Sequence, residues 1–456
     1  MSKKKIIIGV IFFIILFLII RTIIVVNVAI NFYHLYNQDE KYMNKLEQNL
    51  GSSRWMARNN DDSIPEFVKK LVPNDNESDI FDKLKNSFDI VSNYSHKNIY
   101  DSSYKTDLLE NIDKDLKDSN KIDFDRLESN LNEELKKLKT FQKNREQPSI
   151  EESKDFSTAP TYRTTRKYVR FWSILSRLYE RNNKPDAALS LSQFSFYFIR
   201  DMETNYCNSC SLINKSVTNK FKEYTCDSIL IWASTPKPES KNLSKSVSKD
   251  ILDFVKTEYP LTNAIKYEKT FATVGINALL KTIGWGMQTY CDSDKISNKL
   301  DNIYKEPLLY YDNPFYEIKD KLKKSSETFE NSLKDAELTW VKIFPCFFNT
   351  ANFVIDTIIS FSTPNLKKLK EDHESTIAKM EMTVIALAIN SYYCEKNKLP
   401  KSMDELSSWF GEKLPVNRLT GEPYEIQPDQ KHIIQNDGLD GKADTYDDLF
   451  FEFNIK

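Results

Sequence analysis

Tight turns favour glycine, and this chain has very little of it until its end. A backbone that reverses with φ > 0 strains any residue carrying a Cβ, so turn-rich folds spend glycine freely. Nine glycines serve 456 residues, and four of them, Gly411, Gly421, Gly438 and Gly441, lie in the last 46. Ahead of them the sequence is rich in Lys, Glu, Leu and Asn. Together these features predict a mainly α protein whose turns collect in a small α+β C-terminal domain, a long helix followed by short antiparallel strands. The net charge of -2, with 29% charged residues, calls for no nucleic-acid partner.

The N-terminus carries a second constraint. Lys3-Lys4-Lys5 precedes an apolar run from Ile6 to Ile20, and the run resumes from Ile23 to Val26 after Arg21. Crossing a bilayer takes roughly 20 residues, which Ile6–Val26 supplies with Arg21 reaching an interface. The alternatives are a buried helix and a cleaved signal peptide, whose apolar region is typically about 7–15 residues and ends at a small-x-small site. Asn27-Val28-Ala29 is a poor site of that kind. Residues 1–32 are therefore expected to form a cytoplasmic tip and a retained transmembrane anchor. The membrane is then a partner, the N-terminus lies inside and the bulk of the chain is exported.

Six cysteines fit such a compartment. Cys207 and Cys210 form a CxxC with Cys226 behind them, but no second pair stands at zinc-ligand spacing. The flanks read as helices, not the βαβ context of a thioredoxin-type pair. One or more disulfides among Cys207, Cys210 and Cys226 is the expectation, with free core cysteines as the alternative.

Residues 33–145 read as an amphipathic helical region. Ile80, Leu84, Phe88 and Val91, then Leu108, Leu109, Ile112 and Leu116, then Leu127, Leu131, Leu135 and Leu138, recur at helical spacing. Pro148, Ser149, Ser153, Ser157 and Pro160 mark 146–162 as a linker. A second helical domain covers 163–363. In it Trp172, Leu175, Tyr179 and Ala188, across the turn Asn182-Asn183-Lys184-Pro185-Asp186, stand at spacing similar to a tetratricopeptide repeat. Such a hairpin can bind a partner, but with one copy its contact residues are expected to serve ordinary core packing. Further helices are expected over 211–232, 247–257, 262–283 and 316–333, with 236–245 as a loop. Trp340 to Phe361 is strongly apolar, yet Lys342, Asn349 and Asp356 inside it favour a buried helix over a membrane span.

Residues 364–456 differ in kind. A long helix runs to about Glu395, with Ala378, Met382, Ile385, Ala386, Ile389, Tyr392 and Tyr393 as its apolar stripe. Ser402 and Glu405 have the spacing of a capping box. Strands are expected after Gly421, at Ile433-Ile434 and at Leu449–Phe453. Between the last two lies Asn436-Asp437-Gly438-Leu439-Asp440-Gly441-Lys442-Ala443-Asp444-Thr445-Tyr446-Asp447-Asp448, which packs five aspartates onto one loop. Carboxylates so crowded repel unless a cation sits among them, and calcium accepts many oxygen ligands. A solvated acidic turn is the alternative.

The order of these pieces resembles the major pseudopilin of type II secretion systems. The matches are Pro364-Asn365-Leu366, Ala386-Leu387-Ala388 with Tyr392-Tyr393, Leu399-Pro400, Leu414-Pro415, Thr420-Gly421-Glu422-Pro423-Tyr424, Gly438-Leu439-Asp440-Gly441 and Thr445-Tyr446-Asp447-Asp448. The resemblance implies calcium in the loop, with Asp440, Asp447 and Asp448 as carboxylate ligands and Asn436 as a neutral one. Asp437 and Asp444 are two further carboxylates the loop offers. The family's short basic leader with its Gly-Phe cleavage point does not open this chain, and Val416-Asn417 replaces its Asp-Pro step. Assembly into a pseudopilus by the usual route is therefore not expected. The whole arrangement is similar to bacterial envelope proteins anchored once in the inner membrane.

The function expected is thus non-enzymatic, in assembly or protein–protein interaction, with no small-molecule substrate. A helical scaffold that binds through the hairpin is one alternative. A cell-wall enzyme is another, although no metalloprotease, nucleophile-elbow, P-loop or Rossmann motif is present.

Overall fold

The computed structural model describes residues 124–143, 169, 172–173, 175–180, 182–205, 212–258, 260–283, 293–324, 366–428, 432–441 and 448–454. The anchor Ile6–Val26, the two helical stretches before residue 120, the linker 146–162, the segment Trp340–Phe361, and Cys207, Cys210, Asp444 and Asp447 lie outside the described residues. Among the described residues no helix is long and apolar enough to cross a membrane.

The architecture is mainly helical, with one two-stranded antiparallel sheet near the C-terminus. In chain order the helices are α1 (Phe124–Lys143), α2 (described residues between 169 and 180), α3 (Pro185–Asn205), α4 (Leu212–Ala233), α5 (Lys241–Lys256) and α6 (Leu261–Ile283). They continue with α7 (Ser293–Tyr310), α8 (315–324), α9 (Leu366–Lys396) and α10 (Met403–Phe410), before β1 (His432–Asn436) and β2 (Leu449–Glu452).

Helix α9 matches its expected span, but it is not the one-sided helix its stripe suggests. Every residue from Met380 to Tyr392 is buried. A helix covered all round needs neighbours on every side. Here α4 and α5 supply the largest contacts, and α10 and β2 add to them. Short polar side chains join the backbones at these contacts. Ser244 and Ser248 on α5 donate to the carbonyls of Leu387 (3.0 Å) and Val384 (2.8 Å), and Ser391 donates to that of Lys241 (2.6 Å). Asn390 donates to the carbonyls of Ala233 (2.9 Å) and Thr235 (2.7 Å) at the end of α4. These carbonyls are the ones a helix terminus leaves without an internal partner.

The α2–α3 hairpin forms as expected. Asn183 takes φ 54° in the turn, and the Lys184 N–H closes it on the Tyr179 carbonyl at 2.9 Å. Trp172, Leu175, Tyr179 and Ala188 are all buried. The indole of Trp172 meets Phe194 and Phe198 edge-on at 5.0 and 5.2 Å. The tetratricopeptide-like residues are thus spent in the core. Helix α1 packs on α3, and its four leucines at 127, 131, 135 and 138 are buried.

One apolar core runs from Leu127 through Phe254 and takes in Met380 to Phe453, so it crosses the boundary drawn at 363/364. A second joins α6, α7 and α8 to Leu366, Leu369 and Ala378 of α9 and to Leu419. Helix α7 had no counterpart among the expected helices, because Pro307 interrupts its pattern, yet Leu300 and Tyr304 carry it into the core. The loop expected over 236–245 is shorter. A 3₁₀ turn at Pro238–Ser240 leads straight into α5.

Toward the C-terminus Ser402 caps α10, accepting from the Glu405 N–H at 3.2 Å, and Gly411 ends it at φ 84°. Strands β1 and β2 pair with Ile434 opposite Phe451 and Asn436 opposite Leu449. The strand expected after Gly421 does not form. Pro423 and Pro428 lack the N–H a ladder needs, and the segment keeps one bridge, Val416 with Pro423. Cys226 is a free, buried thiol on α4, the alternative expected for a core cysteine. Burial pushes the thiol up to about 12, with Thr383 of α9 as its hydrogen-bond neighbour.

Trp172→Ala is expected to lose about 3–5 kcal/mol of unfolding free energy in urea, leaving a cavity against the Phe194 and Phe198 rings. Leu309→Ala, 60% exposed on α7, is expected to stay within about 0.5 kcal/mol in the same assay.

Candidate functional site

The acidic loop starts where β1 ends. Gly438 at φ 65° and Gly441 at φ 68° fold it back, and the Gly441 N–H bonds the Asp437 carbonyl at 3.1 Å. Asn436 is buried and points inward. Its Oδ1 accepts from the Gly438 N–H (3.2 Å) and its Nδ2 donates to Asn417 Oδ1 (3.3 Å). Asp437 accepts from Gln435 Nε2 at 2.9 Å, Asp440 is exposed, and Asp448 is fully buried just before β2. Among the described residues no three His, Cys, Asp or Glu side chains converge as a metal would require. A calcium shell would therefore combine Asp440 and Asp448 with Asp447, and with Asp444 or backbone carbonyls. Asn436 Oδ1 has a second lone pair to offer.

Asn417 links this loop to the turn at 416–424. Its Oδ1 accepts from the Leu419 N–H at 2.9 Å as well as from Asn436. Its backbone holds the turn from both ends, through Glu422 O at 3.0 Å and Gly421 N at 2.8 Å. The turn and the acidic loop thus share one side chain. Gly421, at φ 82°, also lies so close to the Tyr316 ring of α8 that a Cβ there would stand 3.0 Å from it. Leu439, in the acidic loop, packs on the second core.

Beneath the turn α9 carries charges that periodicity places among its apolar positions. Lys370 is fully buried and donates to Glu374 and to the carbonyls of Tyr311 (2.7 Å) and Asn313 (2.8 Å). Arg418 lies bidentate on Glu374, Nε to Oε2 at 3.0 Å and Nη2 to Oε1 at 3.2 Å. Burial lowers the Lys370 ammonium below its usual value despite Glu374. It also works against Arg418, but Glu374 outweighs it and holds that guanidinium above its usual value. Glu381, two turns farther on, accepts from Tyr424 Oη at 2.9 Å and from the Arg418 N–H at 3.4 Å. Burial pushes this carboxyl up to about 8.

A second buried set lies where α3, α4 and α9 meet. Lys215 and Lys222, both on α4, each reach Glu203 and Glu258, with Lys222 at 2.8 and 2.6 Å. Two ammoniums and two carboxylates balance one another in a closed square. Burial opposes ionisation of Glu258, yet the two lysines hold it well below the usual carboxylate range. His373 of α9 faces Asn219 at 3.4 Å. Burial, with Lys215 beside it, drives the imidazole well below its usual value.

Sequence reasoning did not single out these residues. The available signal was their register: Lys370, Glu374 and Glu381 extend the line of Ala378 and Ile385 at helical spacing. Such an arrangement can fix helices in register and hold charge out of water, since each cation is matched by a carboxylate or carbonyls.

Lys222→Met leaves two carboxylates facing one ammonium and is expected to lose about 3–5 kcal/mol in chemical denaturation. A neutral His373 folded against a free histidine unfolded binds fewer protons in the native state. Its contribution is present above about pH 6.5 and is lost as pH falls, with a limiting slope of ~1.4 kcal/mol per pH unit. His373→Gln is expected to flatten stability measured between pH 7 and pH 5.

Compared with protein-family models, curated proteins and solved structures, the chain matches none.

Proposed function

We propose that this chain is a non-enzymatic envelope protein, anchored once in a bacterial inner membrane with its N-terminus inside. On this reading the helical body is exported and bears a calcium-stabilised, pseudopilin-like C-terminal unit that serves in assembly or protein–protein interaction. The observation that carries the reading is the junction at Asn417, whose backbone holds the Thr420-Gly421-Glu422-Pro423-Tyr424 turn and whose side chain meets Asn436 at the start of the acidic loop. Two loops that resemble the same family in sequence are thereby neighbours in space.

A ligand that binds only the folded state stabilises it by ~2.7 kcal/mol at 100 times its dissociation constant. Calcium is therefore expected to raise the melting temperature of the full chain over that in chelator, and Asp440→Ala with Asp447→Ala to abolish the shift. Equal melting in calcium and chelator would remove the cation from this reading.

A further inference from the structure

The turn at 416–424 is clamped to α9 by two carboxyl groups that are treated unequally. Glu374 and Glu381 lie seven residues apart on α9, two turns along one face, at 0% and 2% exposure. Both cations in reach go to Glu374: Lys370 from its own helix and the Arg418 guanidinium from the turn. Lys370 is further committed to the carbonyls of Tyr311 and Asn313. Among the described residues Glu381 receives only the Tyr424 hydroxyl and the Arg418 backbone N–H, both on Oε2, which leaves Oε1 to carry a proton. Tyr424 is itself buried, with its Oη also 3.3 Å from the Ala378 carbonyl. The other charged or titratable groups around this point are Glu258, which acts on Arg418, and Tyr316 of α8, whose N–H lies 3.5 Å from the Arg418 carbonyl.

We propose that Glu381 is a protonation-dependent latch: with its proton it seats the 416–424 turn on α9, and on losing it the turn lifts. Ionisation strengthens the two hydrogen bonds to Oε2. It also leaves a buried negative charge beside Glu374, whose carboxylate already holds Lys370 and the Arg418 guanidinium; Arg418 attracts the new charge, but burial outweighs that attraction and the two charge-assisted bonds. Lifting the turn lets water reach the carboxylate. Because Asn417 also holds Asn436, the movement passes to the foot of the acidic loop. The latch does not depend on a cation in that loop. It makes the C-terminal surface responsive to pH on the alkaline side of neutral, where the shifted carboxyl titrates.

Arg418 places a trypsin-cleavable bond inside the turn. The detergent-solubilised full chain is digested briefly at pH 7 and pH 9, and each rate of cleavage after Arg418 is divided by that of a synthetic 411–426 peptide at the same pH. The normalised rate is expected to rise about tenfold across this interval, following the ionised fraction, and to stay flat in Glu381→Gln. Tyr424→Phe keeps the carboxyl and is expected to keep the rise. A flat wild type, a rise that survives in Glu381→Gln, or none in Tyr424→Phe overturns the latch. Hydrogen exchange at pH 9 separates release from unfolding. Protection should fall over 416–428 and 432–441 while α4 and α5 keep theirs, and parallel loss in α4 and α5 overturns the proposal.

Discussion

The structure depends on putting the middle of one helix out of water. Helix α9 is buried on every side from Met380 to Tyr392, and both apolar cores take residues from it. Fully burying a Leu- or Ile-sized side chain is worth about 1.5–3 kcal/mol, so a helix covered all round gathers a large share of the driving force. The same burial forbids leaving any polar group on it unmatched. Asn390 and Ser391 meet carbonyls of the elements beside them, and Ser244 and Ser248 on α5 meet carbonyls of α9. Lys370 and Glu374 meet each other and Arg418. The charges on α9 do not relieve its burial; they fix which turn of each neighbour it must face.

Much of this was legible from periodicity. The leucines of α1, the hairpin around Trp172, the span of α9 and the cap at Ser402 follow from spacing and turn chemistry. Helix α7 was not, because Pro307 hides a pattern that Leu300 and Tyr304 carry. The strand after Gly421 failed for the opposite reason: its apolar residues suit a strand, but two prolines remove the donors. Asn436 was placed as a ligand from the resemblance, and its first commitment is to the Gly438 N–H and Asn417. Long-range pairings of this kind leave no trace in local spacing. Buried charge was also missed, since a lysine or glutamate on a helix is read as a solvent face until its line is traced through neighbouring apolar positions.

The candidate site and the helical body are therefore one mechanical object. The acidic loop rests on Asn417, the turn of Asn417 rests on α9 through Arg418 and Tyr424, and Leu439 of the loop touches the core of α6 to α8. The Asn436 amide, the Glu381 carboxyl and the seating of Tyr316 against Gly421 all bear on the same turn.

The serine bonds between α5 and α9 join residues 143 and 136 positions apart in sequence. Contacts so distant form late, because the intervening chain must first be brought to order. A polypeptide made from its N-terminus reaches α9 after α3, α4 and α5 have emerged. Until then those helices present a vacant apolar groove, with the carbonyls of Ala233 and Thr235 lacking the amide of Asn390. Helix α9 is thus the wedge that closes this part of the fold, and α3, α4 and α5 must wait with that face open.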